Sequence, residues 1–452
     1  MKLFKSIAIL NFAFSILHSQ GAVIDQVIVR QQWPWSTDVK IEYRLSQVTN
    51  PVDITVRAYN GTTPLDNTRI AGALSGNRYG VTESVGTIIL DPIKAFGNDK
   101  VAIADFRVEL ELTESAANTT EVVYKIFDLV NGGCQDVTRA DFYNGKMGDY
   151  ETNFKSINPN FADLGEVLIW TAVTNNVEYS TTKLVMRKVN AKNVTFTMGS
   201  PSTEPDRLSG EDQHEITLSK DYYIGVYPLT VGQAKCFFPI VNNEGSAMYP
   251  VQGASAIQKL YITLGTLYPS DPTNSCPLPI NTPIHIRGAA GSTIVWPTDG
   301  HTVDSESLLK KMRDKLGVML EMPTEAEWEY ACRAGTTSAY YSGLNYNTDL
   351  TKMCWYDVNS GNKVHQVGRK QPNAFGLYDM IGNIYEGCLD YYVSDTSTLP
   401  ATDVGGPASG TSRVLRGGCV TWYYKGMRSA HRSYTDNISA GYKGTRLVLE
   451  VD

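Results

Sequence analysis

The chain is 452 residues long, 42% hydrophobic and 19% charged, with a formal net charge of −7. That length implies two or three domains, with enough apolar content for packed cores and no collagenous or low-complexity stretch. The acidic balance and the lack of any Lys/Arg-rich run argue against nucleic acid or an anionic membrane surface as a partner.

Met1 to Gly21 reads as a secretory signal. Lys2 and Lys5 precede a short apolar run from Ile7 to Leu17, and Ser19-Gln-Gly21 supplies small residues for cleavage. The run is about half of the ~20 residues that cross a bilayer, so the expectation is a secreted or cell-envelope protein without a membrane span. The seven cysteines (Cys134, Cys236, Cys276, Cys332, Cys354, Cys388, Cys419) never fall at CxxC spacing, which excludes zinc-ribbon and thioredoxin motifs. Most are read as small buried hydrophobes.

Residues 22–115 read as all-β. Val39, Ile41, Tyr43 and Leu45 alternate with Lys40, Glu42 and Arg44, and Phe106, Val108, Leu110 and Leu112 alternate with charged neighbours. This is the period of a half-buried strand. The turn dipeptide Asn60-Gly61 separates such segments, and the set suggests a small immunoglobulin- or fibronectin-like β-sandwich serving as a spacer. Residues 116–178, with the Asn131-Gly-Gly-Cys134 turn, read as a linker region. Residues 179–452 read as one further unit, in which Gly245 to Asp304 has no assignable pattern.

Within that unit Thr324-Glu-Ala-Glu327 is a capping box, with Pro323 and Trp328 at the staple positions and Gly335 placed to end the helix. Ser305 to Leu316 places Leu308, Leu309, Met312 and Leu316 on one helical face. Downstream, Asp379 and Glu386 set two carboxylates on either side of Gly382-Asn383, where the chain can curl. Such a loop is either a capped turn or an oxygen-rich site for a hard cation.

Met322-Pro-Thr-Glu-Ala-Glu-Trp-Glu-Tyr-Ala331, Gly376-Leu-Tyr-Asp-Met-Ile-Gly-Asn-Ile-Tyr-Glu386 and Arg413-Val-Leu-Arg-Gly-Gly-Cys419 together resemble signatures of the formylglycine-generating enzyme, or sulfatase-modifying factor, family. Met198-Gly-Ser200 and Asp221-Tyr-Tyr-Ile-Gly225 resemble its first segment. The resemblance implies an α+β, C-type-lectin-like domain after the small all-β sandwich. It also implies a structural calcium held by Asp379 and Glu386, with main-chain oxygens of Gly382 and Ile384. A second calcium site of the family is expected to be lost, because Met353-Cys354-Trp355 replaces its ligands.

The family's oxidase carries two cysteines three and eight residues after the serine matched here by Cys419. Those positions hold Trp422 and Met427, and Cu(I) demands thiolates, so no copper is expected. The histidines are isolated, which argues against the iron site of the related sulfoxide synthases, and no Gly-x-Ser-x-Gly elbow supports a hydrolase. The C-terminal segments interleave aromatic and small polar residues. Trp422, Tyr423, Tyr424, Tyr434 and Tyr442 either cover the core or form a recognition surface for a carbohydrate or surface-protein ligand. The same fold carries the variable face of retroelement-diversified proteins, although Gly444-Thr-Arg446 lacks the phenylalanine of their ending. The leading expectation is an exported, non-catalytic binder. The alternative is an oxidoreductase of the same family acting on a thiol substrate through a displaced metal site.

Overall fold

Alternation decides the first strands. In β2 (Val39–Ser46) Val39, Ile41, Tyr43 and Leu45 are buried and their neighbours are not, and β3 (Val52–Asn60) repeats this with Val52, Ile54, Val56 and Ala58. The computed structural model describes residues 22–32, 36–97, 103, 105–115, 119–151, 168–237, 308–343, 350–396, 399, 401–403, 405–407, 410–435 and 442–451. They divide into two units, Met1–Val123 with Val137–Asp149, and Tyr124–Asp136 with Tyr150–Asp452.

The first unit holds two sheets. One is ordered β1 (Val23–Gln31), β2, β6 (Val85–Leu90), β5 (Leu74–Gly76), and the other β4 (Thr63–Pro64), β3, β7 (Phe106–Glu114). Both contribute to one core that includes Ile41, Ile54, Val56, Ile88 and Leu90. The short helices α1 (Asn67–Gly72) and α2 (Pro92–Phe96) start where Asp66 and Asp91 accept the first free amides. A shallow groove of about 500 Å³ crosses the face made by Gln26, Ile28, Glu42, Arg44, Val85 and Thr87, and it carries no cluster of reactive groups.

In the second unit a five-stranded sheet runs β20 (Val448–Glu450), β15 (Tyr222–Gly225), β12 (Lys183–Val189), β8 (Val122–Asp128), β9 (Cys134–Thr138). The stretch expected to be a linker therefore supplies two strands of this sheet. β8 lies between neighbours with Tyr124, Ile126 and Phe127 all buried, so it lacks the polar alternation that marks a half-buried strand. A hairpin-like pair, β13 (Val194–Met198) and β14 (His214–Leu218), and a two-stranded pair, β10 (Tyr150–Glu151) with β11 (Ile169–Trp170), flank it in sequence. A second sheet is ordered β18 (Arg432–Thr435), β17 (Arg413–Arg416), β16 (Tyr385–Tyr391), β19 (Lys443–Gly444), with only the β16–β19 pair parallel. The fold is mixed and mostly sheet. The expected signal and residues 245–304 lie outside the described residues, and among the described residues no helix is long and apolar enough to cross a membrane.

The helices follow the sequence signals. After the short α3 (Arg139–Tyr143) and α4 (Val231–Lys235), α5 (Leu308–Leu316) buries Leu308, Leu309 and Met312. α6 (Glu325–Arg333) begins at the capping box of Thr324 and Glu327 and ends at Ala334 in the left-handed region, with Gly335 next. Every residue of α6 is buried, charged ones included. Buried charge is costly unless paired. Arg333 Nε accordingly lies 2.8 Å from Glu329 Oε1, Arg432 grips both oxygens of Glu325 at 2.6 and 2.8 Å, and Arg416 Nη2 reaches Glu329 Oε2. Arg428 joins Glu204 at 2.8 Å and Glu211 at 2.6 Å. These pairs tie α6, β17 and β18 together with the 199–211 loop.

Candidate binding surface and cation loop

The curl between Leu377 and β16 is built from left-handed residues: Asp379 at φ 53°, Gly382 at 75° and Asn383 at 62°. A Cβ on Gly382 would stand 2.4 Å from the Trp355 carbonyl oxygen, so the close approach as well as the angle requires glycine. The curl fastens neighbouring loops. Gly382 donates to the Gly417 carbonyl at 2.7 Å, Asn383 donates to the Trp355 carbonyl at 2.8 Å, and the Asn383 carbonyl accepts the Val420 amide at 3.2 Å. The side chain of Asn383 exchanges two hydrogen bonds with the His365 backbone, at 2.9 and 3.1 Å.

The two carboxylates have different surroundings. Asp379 is 1% exposed and accepts the Gly368 amide at 2.8 Å and a 3.5 Å contact from Asn383. Among the described residues it forms no ion pair, and burial pushes its pKa up to about 6. Glu386 is fully buried and already neutralised. Arg446 grips it at 2.7 Å on Oε2 and 2.6 Å on Oε1, and the Trp328 indole donates to Oε2 at 2.7 Å. A hard cation wants several oxygens free of competing donors. Asp379 fits that requirement, while Glu386 has only Oε1, with one donor, to share. Among the described residues no group of three or more His, Cys, Asp or Glu side chains is placed to hold a metal ion. Met353 and Cys354, expected from the resemblance to replace ligands of a second calcium site, are core residues.

The loop after β17 places Cys419 under a surface. Its thiol is buried, 3.4 Å from the Thr421 hydroxyl, and burial raises its pKa. It packs with Tyr385, Leu415 and Tyr442, and Tyr442 also joins Val364, Ile384, Val420 and Trp355. Met427, at the second thiolate position, is completely buried, while Trp422, at the first, is 38% exposed.

The five expected recognition residues separate. Trp422 and Tyr423 are both exposed and stack at 5.3 Å between centroids and 11° between planes, with Tyr385 edge-on to Trp422 at 6.4 Å. Tyr434 is exposed but lies against Tyr392 at 4.5 Å. Arg432 and Tyr434, two residues apart on one face of β18, both lie against Tyr392, so Tyr434 belongs to a separate cluster from the Trp422–Tyr423 stack. Tyr424 packs on the main core, and Tyr442 is half-buried with its hydroxyl donating to the Asn362 carbonyl at 2.8 Å. Sequence reasoning missed Val358, which is 70% exposed and follows Asp357, whose amide donates to the Trp422 carbonyl at 3.2 Å. It also missed the buried arginines, whose one visible signal was the i, i+4 spacing of Glu325 and Glu329. His431 is 2% exposed, and among the described residues its Nδ1 has no hydrogen-bond partner.

Comparison with known proteins fits this anatomy. Residues 289–451 match the family described as the sulfatase-modifying factor enzyme 1-like domain. The chain is 34% identical over 148 residues to the formylglycine-generating enzyme of Streptomyces coelicolor, covering 29% of this chain and 47% of that enzyme. It is 35% identical over 151 residues to that of Thermomonospora curvata, covering 28% and 49%. It is also 38% identical over 123 residues to a serine/threonine-protein kinase, pkn1, of Chlamydia pneumoniae, covering 25% and 18%. The chain thus spans less than half of each of these relatives. Among solved structures, Treponema denticola variable protein 1 aligns at 24% identity and TM-score 0.41, over 60% of this chain and 96% of that one. PvdO from Pseudomonas aeruginosa aligns at 22% and 0.43, over 59% and 95%. The matched motifs coincide with the buried helix, the curl and the Arg-Gly-Gly turn described above, and the chain carries a formylglycine-generating-enzyme-like domain of the sulfatase-modifying factor family.

Proposed function

We propose that this is an exported, non-catalytic binding protein. Its family domain has the C-type-lectin-like fold, its first unit is an immunoglobulin- or fibronectin-like spacer, and the working surface is the Trp422–Tyr423 platform. The observation that carries the reading is that stacked, exposed pair. Large apolar side chains in contact with one another on a surface mark recognition sites, and aromatic anchors dominate binding energy. Trp422 stands where the family's oxidase would hold its first thiolate, and Met427 fills the second position inside the core. Export rests on the basic start and short apolar run of Met1 to Gly21.

A structural calcium at the curl is part of the proposal. Asp379, the main-chain oxygens of Gly382 and Ile384, and Oε1 of Glu386 would hold it. The ion would neutralise Asp379 and stiffen the curl that fastens the loop bearing the platform.

Trp422→Ala and Tyr423→Ala test the reading. Each should weaken attachment of the full chain to whole cells or isolated envelopes by about tenfold or more, a cost on the order of 2 kcal/mol. Surface truncations should leave the melting temperature within about two degrees. Tyr424→Ala, whose ring packs on the core, should instead destabilise. Unchanged attachment with both exposed rings removed refutes the surface.

A further inference from the structure

The loop at 357–363 borders the platform along one side, and three hydrogen bonds set its position. The Asp357 amide donates to the Trp422 carbonyl at 3.2 Å, the Ser360 hydroxyl donates to the Val420 carbonyl at 2.7 Å, and the Tyr442 hydroxyl donates to the Asn362 carbonyl at 2.8 Å. Asp357, Asn362 and Lys363 are left exposed on the same loop. We infer that this loop is the polar rim of the site and that the ligand is a neutral carbohydrate chain, its pyranose rings laid on Trp422 and Tyr423. The inference rests on the binding reading above and narrows it to one ligand class.

The chemistry of the two sides favours a sugar. A pyranose ring has an apolar C–H face and a girdle of hydroxyl groups that both donate and accept. Stacked on each other, Trp422 and Tyr423 each leave one outer π face for the first. A carboxylate, a carboxamide and an ammonium group offer the donors and acceptors that the second needs. A protein partner would be expected to use a broader apolar centre from which charge is depleted. Here Asp357 and Lys363 lie on the loop fastened to the platform, and Lys425, two residues after Tyr423, lies 2.5 Å from Asp206. The charges are of both signs, and the whole chain is acidic at −7, so nothing concentrates positive potential for a uronate or sulfate polymer.

The platform is also preorganised. The five-membered ring of Trp422 lies against Gly426, where a Cβ would come within 1.9 Å of Trp422 Cδ1. Gly426 is not in the left-handed region, so its lack of a side chain serves space and not backbone freedom. Gly426→Ala therefore moves the indole without deleting any aromatic atom. Gly426 is a positioning residue in this scheme, while Asp357 and Asn362 contact the ligand.

The test is calorimetric titration of the full chain with neutral hexaoses (cellohexaose, xylohexaose, mannohexaose and chitohexaose) and with hexagalacturonate as the anionic arm. At least one neutral hexaose should bind and should bind about tenfold or more tighter than the uronate. For that hexaose, Asp357→Ala, Asn362→Ala and Gly426→Ala should each weaken binding by about five- to tenfold, the scale of a lost hydrogen bond or a displaced ring. Melting temperatures of the two loop variants should stay at the parent value. Tighter binding of the uronate overturns the neutral class, and full affinity in both loop variants overturns the rim. If no neutral hexaose binds while Trp422→Ala still abolishes attachment to envelopes, the carbohydrate inference falls and the binding reading survives. If Trp422→Ala changes neither, both fall together.

Discussion

Replacing Glu386 by Gln removes one negative charge from the centre of the family domain and leaves Arg446 behind. Arg446 is fully buried and, besides its two bonds to Glu386 at 2.6 and 2.7 Å, donates to the carbonyls of Gly225 at 2.8 Å and Tyr378 at 3.0 Å. Its charge cannot reach water, and breaking a buried pair from one side costs about 3–5 kcal/mol. At roughly 2–4 °C per kcal/mol for a large domain, the family domain should melt on the order of 10 °C lower. Arg446→Met alone should cost a similar amount, because it strands the Glu386 carboxylate beside Trp328. The double variant Glu386→Gln/Arg446→Met should recover much of that loss, since a buried pair replaced by uncharged groups of similar volume is often near neutral. Calorimetric melting of the four proteins closes the cycle, and the coupling energy is the difference between the double change and the sum of the single ones. Additive effects, with a coupling below about 0.5 kcal/mol, would refute the claim that the two charges neutralise each other.

Calcium chelation should lower the melting temperature of the parent, because an ion that binds only the folded state stabilises it by mass action, and Asp379→Ala should erase the difference. Identical parent curves with and without chelator remove the ion. The purified protein should retain no stoichiometric Cu(I) against a competing chelator and should convert no cysteine peptide to an aldehyde, and retained copper would redirect attention to Cys419. Burial, with Arg428 and Arg416 adding to it, holds the His431 pKa down to about 3, below its ordinary 6.5. The folded state therefore refuses a proton that the unfolded chain accepts, so this contribution to stability is complete above about pH 6.5 and declines as pH falls towards 3. His431→Gln should flatten that part of the stability profile, and an unchanged slope in denaturant titrations across that range would contradict it.

What the sequence determined by itself is local. The period-2 pattern of Val39 to Leu45 fixes a half-buried strand, because a pleated chain turns alternate side chains to opposite faces. The Thr324–Glu327 box fixes where a helix begins, since only a few side chains satisfy its free amides. The family motifs were legible because each marks a backbone requirement, such as the glycine at 382. Tertiary structure decided the rest. β8 was read as part of a linker because a strand covered on both faces loses its alternation. The Glu325, Glu329 and Glu386 carboxylates meet Arg432, Arg416 and Arg446 across 60 to 107 residues of chain, and no local pattern encodes pairings so distant. The aromatic residues near the C-terminus looked alike in sequence. Which of them face solvent followed from the space at Gly426, the contact of Tyr434 with Tyr392 and the packing of Tyr424, all set by neighbours that only the folded chain brings together.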